Sequence, residues 1–560
     1  MDKIFRPKLV YAMKGYSKKQ FINDVVAGII VAIIALPLSI ALAIASGVSP
    51  EKGLYTAIVA GLLISVFGGS RVNISGPTAA FATIVAGIVA QFGINGLIVA
   101  TIMAGIFLII MGLLRFGSLI KYIPYTITTG FTSGIAVTII IGQIKDFLGI
   151  SFPDGVSPVE TTHKLSAVIE NFSTVNLWAM GLGIICLAIL AVWPKISKKI
   201  PGSLVVVILG VLSVKMFDLE VNTIGDLFTI SRDLPKFALP DITFDAVKEL
   251  IPSAFTIAIL AGIESLLSCV VSDNMIDDKH NSNTELIAQG IGNIFSGLFG
   301  GIPATGAIAR TAANVKNGGK TPVSGIVHAL TLLLILVILM PYAAWIPMPV
   351  IAAILFMVAY NMCEWRRFVK ICKTAPKSDI IVLLVTFVLT VIFDLVVAIE
   401  IGMLFAVVLF MKRMAEVTQI RTWTEHGDSS GGDSERLKAI PHGTKVFEVD
   451  GPMFFATADK LEMLPISEDI DILIMRMRNI PSLDASAMQA MNSVYMICKK
   501  NNIKLLFSHA NEQPLSVMKK SGFYDKVGAD CFLQNIDEAL SYAQTLSDMK
   551  RGLMYEEIKS

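Results

Sequence analysis

The stretch Asn73-Ile74-Ser75-Gly76-Pro77-Thr78-Ala79-Ala80 decides the fold, because it interrupts a long series of apolar runs. A second stretch of the same kind follows much later, at Gly300-Gly301-Ile302-Pro303-Ala304-Thr305-Gly306-Ala307-Ile308-Ala309-Arg310-Thr311. Backbone groups without hydrogen bonds are costly in hydrocarbon, so such interruptions persist only inside the protein or along a cavity. Both stretches therefore predict a site within a membrane domain.

The chain around these stretches has the composition of a membrane protein. Its 560 residues are 54% hydrophobic and only 16% charged, whereas soluble proteins carry about 25% charged residues. A membrane-crossing helix needs about 20 mostly apolar residues, and fourteen candidates are present. The clear ones are 23–46, 53–69, 95–114, 125–145, 177–194, 202–217, 251–273, 321–340, 379–395 and 396–414, and the weaker ones are 76–92, 284–300, 304–314 and 348–361.

The two interruptions fall in the third and tenth candidate spans, which is the same position in two halves of seven spans. A unit with an odd number of crossings must be inverted in its copy, and matched interruptions in two halves indicate a transporter site. Helix starts at such sites carry unpaired N–H groups and partial positive charge, so they bind anions. The predicted substrate-binding residues are Ser75, Gly76, Pro77, Thr78 and Ala79 from the first stretch, and Thr305, Gly306, Ala307, Ile308, Ala309 and Arg310 from the second.

The alternative interpretation is that the two stretches are kinks that only ease helix packing. Their matched positions and the full charge of Arg310 favour the anion site.

The loop charges predict the orientation and the domain borders. Basic residues recur in every second loop, as in the N-terminal segment and in the loop with Arg366, Arg367 and Lys370. The positive-inside rule then places both termini of a multi-pass membrane protein in the cytosol. We expect the cell inner (plasma) membrane. A run of Gly, Ser and Asp after Lys412 and Arg413 indicates a linker. The predicted segments are a cytosolic N-terminus over 1–22, a transporter domain over 23–414, a linker over 415–442 and a soluble domain over 443–560.

Glu264 is the main candidate for coupling transport to an ion. It lies inside the eighth candidate span, where an ionisable residue is a functional hypothesis by default. Burial disfavours its charged form, so the group is suited to carry a proton. Ser268 is four residues further on, on the same face of the helix. The sequence predicts proton symport, with sodium coupling and a purely structural Glu264 as the alternatives.

The order of several motifs resembles that of the SulP anion transporters, over nearly the whole chain. The motifs are Ala35-Leu36-Pro37-Leu38-Ser39-Ile40-Ala41, Gly53-Leu54-Tyr55, Gly68-Gly69-Ser70-Arg71, Ser75-Gly76-Pro77-Thr78-Ala79, Gly130-Phe131-Thr132-Ser133-Gly134 and Ala309-Arg310-Thr311. This resemblance implies a seven-plus-seven inverted repeat of fourteen spans, with core and gate domains. It also implies a homodimer, and an elevator movement of the core against the gate.

The residue after Pro37 departs from the pattern of many sulfate carriers of the family, which have a polar residue there. In this sequence the position is Leu38. The apolar residue and the Ala307-Ile308-Ala309-Arg310 stretch resemble the bacterial C4-dicarboxylic acid branch, which implies succinate, fumarate or aspartate as substrate. Sulfate and bicarbonate transport are the alternatives. In sodium-driven bicarbonate members the positions of Glu264 and Ser268 resemble Asp and Thr, which bind sodium.

The last part of the chain alternates strand and helix patterns. Strands are predicted at 445–449, 471–477 and 502–508, and helices at 485–500 and 513–521, the first capped by Asp484. The loop Ile480-Pro481-Ser482-Leu483-Asp484-Ala485-Ser486 resembles the signature of a STAS domain. Related antagonist proteins carry a phosphorylated Ser directly after the Asp, where this chain has Ala485. We expect a regulatory, trafficking or dimer-contact role for this domain, with a cytosolic protein partner, and a passive folding appendage is the alternative.

Several classes of function are disfavoured by the residue inventory. Six scattered cysteines and six histidines argue against a metal site or a disulfide framework. Without a nucleophile–base set or a P-loop we expect a carrier rather than an enzyme, with no cofactor. The near-neutral charge of +2 argues against nucleic acid, which leaves membrane lipid, a small anion and the coupling ion as partners. An anion channel of the same fold and a STAS-based sensor are the competing functions.

Overall fold

The computed structural model describes residues 5–118, 124–153, 158, 160–197, 200–231, 233–240, 244–393, 395–423, 440–466 and 469–559. The chain forms two compact units, Met1–Leu404 and Phe405–Ser560.

The first unit is built from helices. Among the described residues, eight helical stretches are long and apolar enough to cross a membrane, and Gly202–Phe217 is a shorter apolar helix. The helices are α1 Lys8–Ala12, α2 Lys18–Ala45, α3 Pro50–Phe67, α4 Ala82–Leu113, α5 Tyr125–Leu148, α6 Thr161–Glu170, α7 Leu177–Ile196, α8 Gly202–Phe217, α9 Ile224–Leu227, α10 Phe244–Ile276, α11 Ser282–Leu298, α12 Ile308–Lys316, α13 Val323–Leu339, α14 Met348–Cys363, α15 Trp365–Thr374, α16 Lys377–Ile392 and α17 Leu395–Val417.

This order confirms the predicted polytopic helical fold and shifts some of its borders. The spans predicted over 76–92 and 95–114 are joined in α4, which is broken at Gly93 with a φ of 66°. The helix predicted over 304–314 covers only Ile308–Lys316. The predicted helix starts at 76 and 304 were both too early, because the strands β1 (Ser75–Gly76) and β2 (Thr305–Gly306) precede the helices α4 and α12. Helix α2 also begins inside the predicted N-terminal segment, at Lys18, where Ser17 caps it.

The helices of the first unit pack into two groups. One group contains α2, α3, α4, α10, α11, α12 and α13, and the other contains α5, α7, α8, α14 and α16. Small residues permit the closest crossings, as is common between membrane helices. A Cβ on Gly105 of α4 would lie 2.6 Å from the carbonyl oxygen of Gly290 on α11, and a Cβ on Gly290 would lie 2.5 Å from that of Gly105. Helices α4 and α11 therefore meet backbone to backbone behind the two interruptions.

The second unit is a five-stranded sheet covered by helices. Its strand order is β3-β4-β5-β6-β7, with β3 antiparallel to β4 and the other pairs parallel. The predicted strand–helix alternation is confirmed, and the Asp484 side chain accepts a hydrogen bond from the Ala487 N–H at the start of its helix. The elements are β3 Gln419–Trp423, β4 Thr444–Asp450, α18 Ala458–Glu462, β5 Ile472–Asn479, α19 Ala485–Lys500, β6 Lys504–Ser508, α20 Glu512–Lys520, α21 Phe523–Val527, β7 Phe532–Leu533 and α22 Ile536–Lys559.

Strand β3 lies inside the stretch predicted as a linker over 415–442. The sheet therefore begins before the predicted domain start at 443, because β3 pairs along its full length with β4. Five residues directly after a long helix gave no separate strand signal. Residues 424–439 of the predicted linker lie outside the described residues.

Candidate functional site

The two interrupted stretches meet in the middle of the first helix group. Strands β1 and β2 pair antiparallel, with Ser75 opposite Gly306 and Gly76 opposite Thr305. The pairing is extended by a hydrogen bond of 2.8 Å from the Ala307 N–H to the Ile74 carbonyl oxygen. A membrane protein must satisfy such backbone groups internally. The paired strands, the β1–β2 ribbon, thus provide hydrogen bonds for backbone groups that the two broken helices leave unpaired. The ribbon also brings both predicted halves of the site together.

A helix begins directly after each strand. A 3-10 turn, Ala79–Phe81, leads into α4, and α12 begins at Ile308. Neither Thr78 nor Ala307, the residues before these starts, makes a side-chain capping hydrogen bond. The first N–H groups of a helix have no acceptor within the helix. Both starts therefore keep donors for another acceptor, and the exposure of Ile308, 42%, leaves the start of α12 open.

Arg310 carries its charge back from α12 to the first stretch. Its side chain is 3% exposed, and its Nη2 donates a hydrogen bond of 3.1 Å to the Pro77 carbonyl oxygen. Nη1 is buried without a hydrogen-bond partner among the described residues. This atom lies beside Gly76, where an added Cβ would be 2.8 Å away. A buried donor without an acceptor is costly, more so when it is charged, so the site lacks one acceptor for Nη1.

Glu264 contacts this site through Thr78. It projects from α10, and its Oε2 accepts a hydrogen bond of 2.9 Å from the Thr78 hydroxyl group. Both side chains are half-buried. Since Thr78 directly precedes the 3-10 turn, the carboxyl group is one hydrogen bond away from the predicted substrate-binding residues.

Ser268 belongs to a different set of contacts, although it is one turn from Glu264. Its hydroxyl group lies 2.7 Å from Asn73 Oδ1 and 3.1 Å from Thr311 Oγ1. Thr311 in turn accepts a hydrogen bond of 3.0 Å from the Ile74 N–H. Ser268 therefore holds the two stretches together and makes no hydrogen bond to Glu264.

Ser265 fixes the second stretch in a similar way. Its Oγ accepts a hydrogen bond of 2.9 Å from the Gly306 N–H and lies 2.8 Å from Thr305 Oγ1. The Thr305 hydroxyl group donates to the Ala261 carbonyl oxygen at 2.9 Å. Thr305 and Gly306 were both predicted to bind the substrate, but their polar groups form hydrogen bonds with α10. Ile308, Ala309 and Arg310 lie at the open start of α12.

Helix α11 supplies polar residues that the sequence analysis missed. Glu285 is fully buried and accepts hydrogen bonds from the Gly69 N–H and from Asn73 Nδ2, both at 2.8 Å. Gln289 donates to Ser75 Oγ at 3.0 Å. The signal for these residues is their spacing, since Glu285, Gln289 and Asn293 recur every four residues on one face of α11.

His328 on α13 is a further residue that the sequence pattern did not single out. It is 1% exposed, and neither ring nitrogen has a hydrogen-bond partner among the described residues. It faces α3 at Gly61, where an added Cβ would lie 4.0 Å from Nδ1 and 3.1 Å from the Ser75 carbonyl oxygen. His328 therefore packs behind β1. The feature of the sequence that indicates His328 is a single imidazole within an apolar membrane helix.

The second helix group borders the site as well. The 3-10 turn Ala79–Phe81 packs against α5, and Phe81 and Phe131 are both fully buried. The predicted residue Ala79 therefore lies where the two helix groups meet.

Two protein families match this chain. The sulfate permease family covers residues 21–386, and the STAS domain covers residues 436–539. The chain belongs to the sulfate permease family. It is an anion transporter of this family with a C-terminal STAS domain, and the predicted SulP membership is confirmed.

Individual proteins agree with this membership over their whole lengths. This family member is 40% identical to the putative sulfate transporter YvdB of Bacillus subtilis (strain 168) over 531 residues, which is 94% of this chain and 98% of the relative. It is 31% identical to the bicarbonate transporter BicA of a Picosynechococcus species over 538 residues, or 93% and 94% of the two chains. The predicted dicarboxylate branch stays a prediction, since these relatives bear the names of sulfate and bicarbonate transporters.

A solved structure agrees with the fold. The murine Slc26a9 anion transporter in its inward-facing state matches with a TM-score of 0.86 and 17% identity, over 96% of this chain and 94% of the other. At that identity the match supports the fold of this sulfate permease family member.

Proposed function

We propose that this protein is a proton-coupled carrier of a small oxyanion, which binds between β1–β2, the start of α12 and Arg310. The observation that carries the proposal is the buried Nη1 of Arg310, which has no acceptor among the described residues. The helix starts after β1 and after β2, neither of which has a side-chain cap, add further N–H donors. An oxyanion would supply the missing acceptor and balance the charge of the guanidinium group.

Coupling is assigned to Glu264. Its hydrogen bond to Thr78 links it to the binding residues, so that an anion at the site and a negative carboxylate repel each other. Two like charges about 6 Å apart interact by about 3 kcal/mol at an effective dielectric constant of about 20. Protonation of Glu264 removes this repulsion, which ties anion binding to proton binding. The elevator movement implied by the family resemblance then carries both across the membrane.

Sodium coupling is the less favoured alternative. A sodium site formed by Glu264 and Ser268 needs free oxygen atoms from both side chains. Ser268 is fully buried and is directed to Asn73 and Thr311, whereas Glu264 is directed to Thr78, so the two side chains point to different neighbours, which supports the proton. Replacing sodium by choline in the uptake buffer distinguishes the two ions.

The proposed substrate is one of three kinds of small anion: sulfate, bicarbonate or a C4-dicarboxylate. The names of the relatives support sulfate or bicarbonate. The apolar Leu38, which packs against the main hydrophobic core of the first unit, supports the C4-dicarboxylates succinate, fumarate and aspartate. All of them present oxygen atoms to N–H donors. Competition by each anion against uptake of labelled sulfate, bicarbonate and succinate ranks them.

Glu264→Gln tests the mechanism in proteoliposomes. Uptake by the unchanged protein should rise when the outside is made one pH unit more acidic, whereas the variant should lose this response. The variant should still exchange external for internal substrate, because exchange needs no net proton movement. Glu400→Gln is the matched control, since Glu400 is an exposed carboxylate on α17. Proton-driven uptake that persists in Glu264→Gln would contradict the assignment.

The same vesicles separate a carrier from a channel. A carrier gives uptake that saturates with substrate concentration, and a channel gives an ohmic anion current. The presence of the Glu264 carboxyl group beside the site supports the carrier.

We also propose that the STAS domain has a regulatory role and acts through a cytosolic protein partner. The protein is proposed to be a homodimer in the plasma membrane, with both termini in the cytosol. In the signature loop Asp484 is engaged by the N–H groups of Ala487 and Phe455 at 2.8 and 2.9 Å. Ala485 has no hydroxyl group, which argues against the phosphorylation switch of the antagonist proteins. Transport that survives in a chain shortened to end near Lys412 would contradict the competing view that the protein is mainly a sensor.

A further inference from the structure

Helix α15 carries a stripe of exposed basic side chains. Arg366, Lys370 and Lys373 are spaced at i, i+4 and i+7, so they lie on one face of this helix. All three side chains are exposed. None of the three makes an ion pair or a side-chain hydrogen bond with another described residue, whereas their neighbour Arg367 pairs with Glu364 at 2.8 Å.

The opposite face of α15 fixes the helix to the membrane domain. Phe368 packs edge-on against Phe387 of α16, with ring centroids 5.3 Å apart. Arg367 lies over the ring of Tyr125 on α5, with 4.3 Å between its guanidinium carbon and the ring centroid. The cationic stripe therefore has a fixed position and points away from the helix bundle.

An exposed apolar edge borders the stripe. Trp365 and Val369, which precede Arg366 and Lys370 by one residue each, are 45% and 39% exposed. The Trp365 indole N–H donates to the Tyr360 hydroxyl group at 3.2 Å, which pairs two aromatic residues of the type enriched at membrane interfaces. Exposed apolar and basic side chains next to each other match the boundary between acyl chains and headgroups.

The backbone separates α15 from the spans on both sides. Glu364 has a φ of 42°, a left-handed conformation that ends α14 and turns the chain, and Ala375 and Pro376 are extended before α16. The 10 residues of α15 are about 15 Å long, which is about half the thickness of the hydrocarbon region. Helix α15 is too short to cross and too basic to be buried, so it belongs at the membrane surface.

We propose that α15 is a binding site for the headgroups of anionic phospholipids in the adjacent leaflet, with Arg366, Lys370 and Lys373 on the phosphates and Trp365 and Val369 among the upper acyl chains. Three neighbouring like charges repel one another, and anionic headgroups remove this repulsion. The proposal is independent of the substrate and of the coupling ion.

The test uses the full chain in vesicles of phosphatidylcholine with phosphatidylglycerol whose acyl chains are brominated near the glycerol end. Bromine quenches indole fluorescence on contact, and the difference between the unchanged protein and Trp365→Phe isolates the signal of Trp365. Each Lys or Arg near an anionic surface contributes about 1 kcal/mol, which is roughly fivefold in affinity. We expect phosphatidylglycerol to be preferred at least roughly tenfold over brominated phosphatidylcholine.

The variants connect this preference with the stripe. In Arg366→Gln/Lys370→Gln/Lys373→Gln the ratio of the two lipids should fall to about one. Lys499→Gln/Lys500→Gln/Lys520→Gln removes three exposed charges from the STAS domain and should leave the preference unchanged. Arg366→Lys should also keep it, because an anionic surface responds to charge.

Two measurements on the unchanged protein need no variant. The preference should disappear in about 1 M salt, where the screening length is about 3 Å. It should withstand millimolar glycerol phosphate, because a lipid also holds the apolar edge. Equal quenching by both lipids would overturn the proposal. So would a preference that survives the triple substitution at α15, or displacement of the lipid by free glycerol phosphate.

Discussion

Gly76→Ala is the most direct perturbation of the proposed anion site. The new Cβ would lie 2.8 Å from Arg310 Nη1, while its next neighbours, Cα and Cβ of Ala57, would be at 3.5 Å. Only the Arg310 contact is shorter than an ordinary van der Waals distance. The guanidinium group is the movable partner, so it must retreat by about 0.6 Å to reach ordinary contact near 3.4 Å.

This retreat displaces the donor that the substrate is proposed to use. A hydrogen bond to a charged group contributes about 1.5–3 kcal/mol, and its loss lowers affinity roughly 10- to 150-fold. We expect uptake at low substrate concentration to fall by such a factor, with a raised KM and a smaller change in the maximal rate. The assay is initial uptake into proteoliposomes of the anion that the unchanged protein transports best.

Gly87→Ala is the matched control, because an added Cβ at Gly87 on α4 meets no atom within 4 Å. It should transport like the unchanged protein. Uptake by Gly76→Ala within about twofold of this control would refute the placement of the anion at Arg310 Nη1. A Gly76→Ala protein that is properly folded, as judged by size-exclusion chromatography, yet loses maximal rate alone would refute it as well.

Three further outcomes follow from other contacts. Thr78→Val keeps the shape of Thr78 but removes its hydrogen bond to the Glu264 carboxylate, so the midpoint of pH-dependent uptake should move to higher pH. At Asp278, burial raises the pKa, but the hydrogen bond from Lys8, the Lys279 N–H and the charges of Lys8 and Arg71 together bring the pKa below its ordinary value. This stabilisation is present above the pKa of the unfolded chain and is lost as the pH falls through the lowered pKa. Asp278→Asn should therefore destabilise the protein at pH 7 by less than about 1 kcal/mol, since the pair is partly exposed, and the loss of melting temperature should shrink as the pH is lowered. Burial raises the pKa of Cys498 to about 11, so its thiol should resist maleimide at pH 8 until the STAS domain unfolds, as mass spectrometry of the labelled protein can measure.

The sequence predicts the parts of this site that depend on local composition. The interruptions at Ser75–Gly76 and Thr305–Gly306 were visible because Gly, Pro and Thr break apolar runs. The Asp484 cap was visible because a polar side chain precedes a helical pattern. In each case the deciding residues are neighbours in the chain.

Contacts between distant parts of the chain were not visible in that way. The register of β1 with β2 joins residues about 230 positions apart and depends on the packing of several helices. Helical periodicity pairs Ser268 with Glu264, but the side chain of Ser268 is directed to Asn73 and Thr311 instead. Periodicity gives the face of a helix and leaves the neighbour of that face undetermined. For the same reason the role of Glu285 depends on a loop that precedes it by more than 200 residues.

The β1–β2 ribbon has a consequence for how the carrier works. The two inverted halves each supply one strand, and the bonds of Ser265 and Ser268 fasten this ribbon to α10. The halves of the site cannot separate without the loss of buried hydrogen bonds. Substrate arriving from either side of the membrane then finds one shape, so the intrinsic dissociation constant should be the same on both faces. Under the proposed proton-coupled elevator mechanism, any preference for inward over outward transport must come from the membrane potential, the proton gradient or the stability of the two positions of the core.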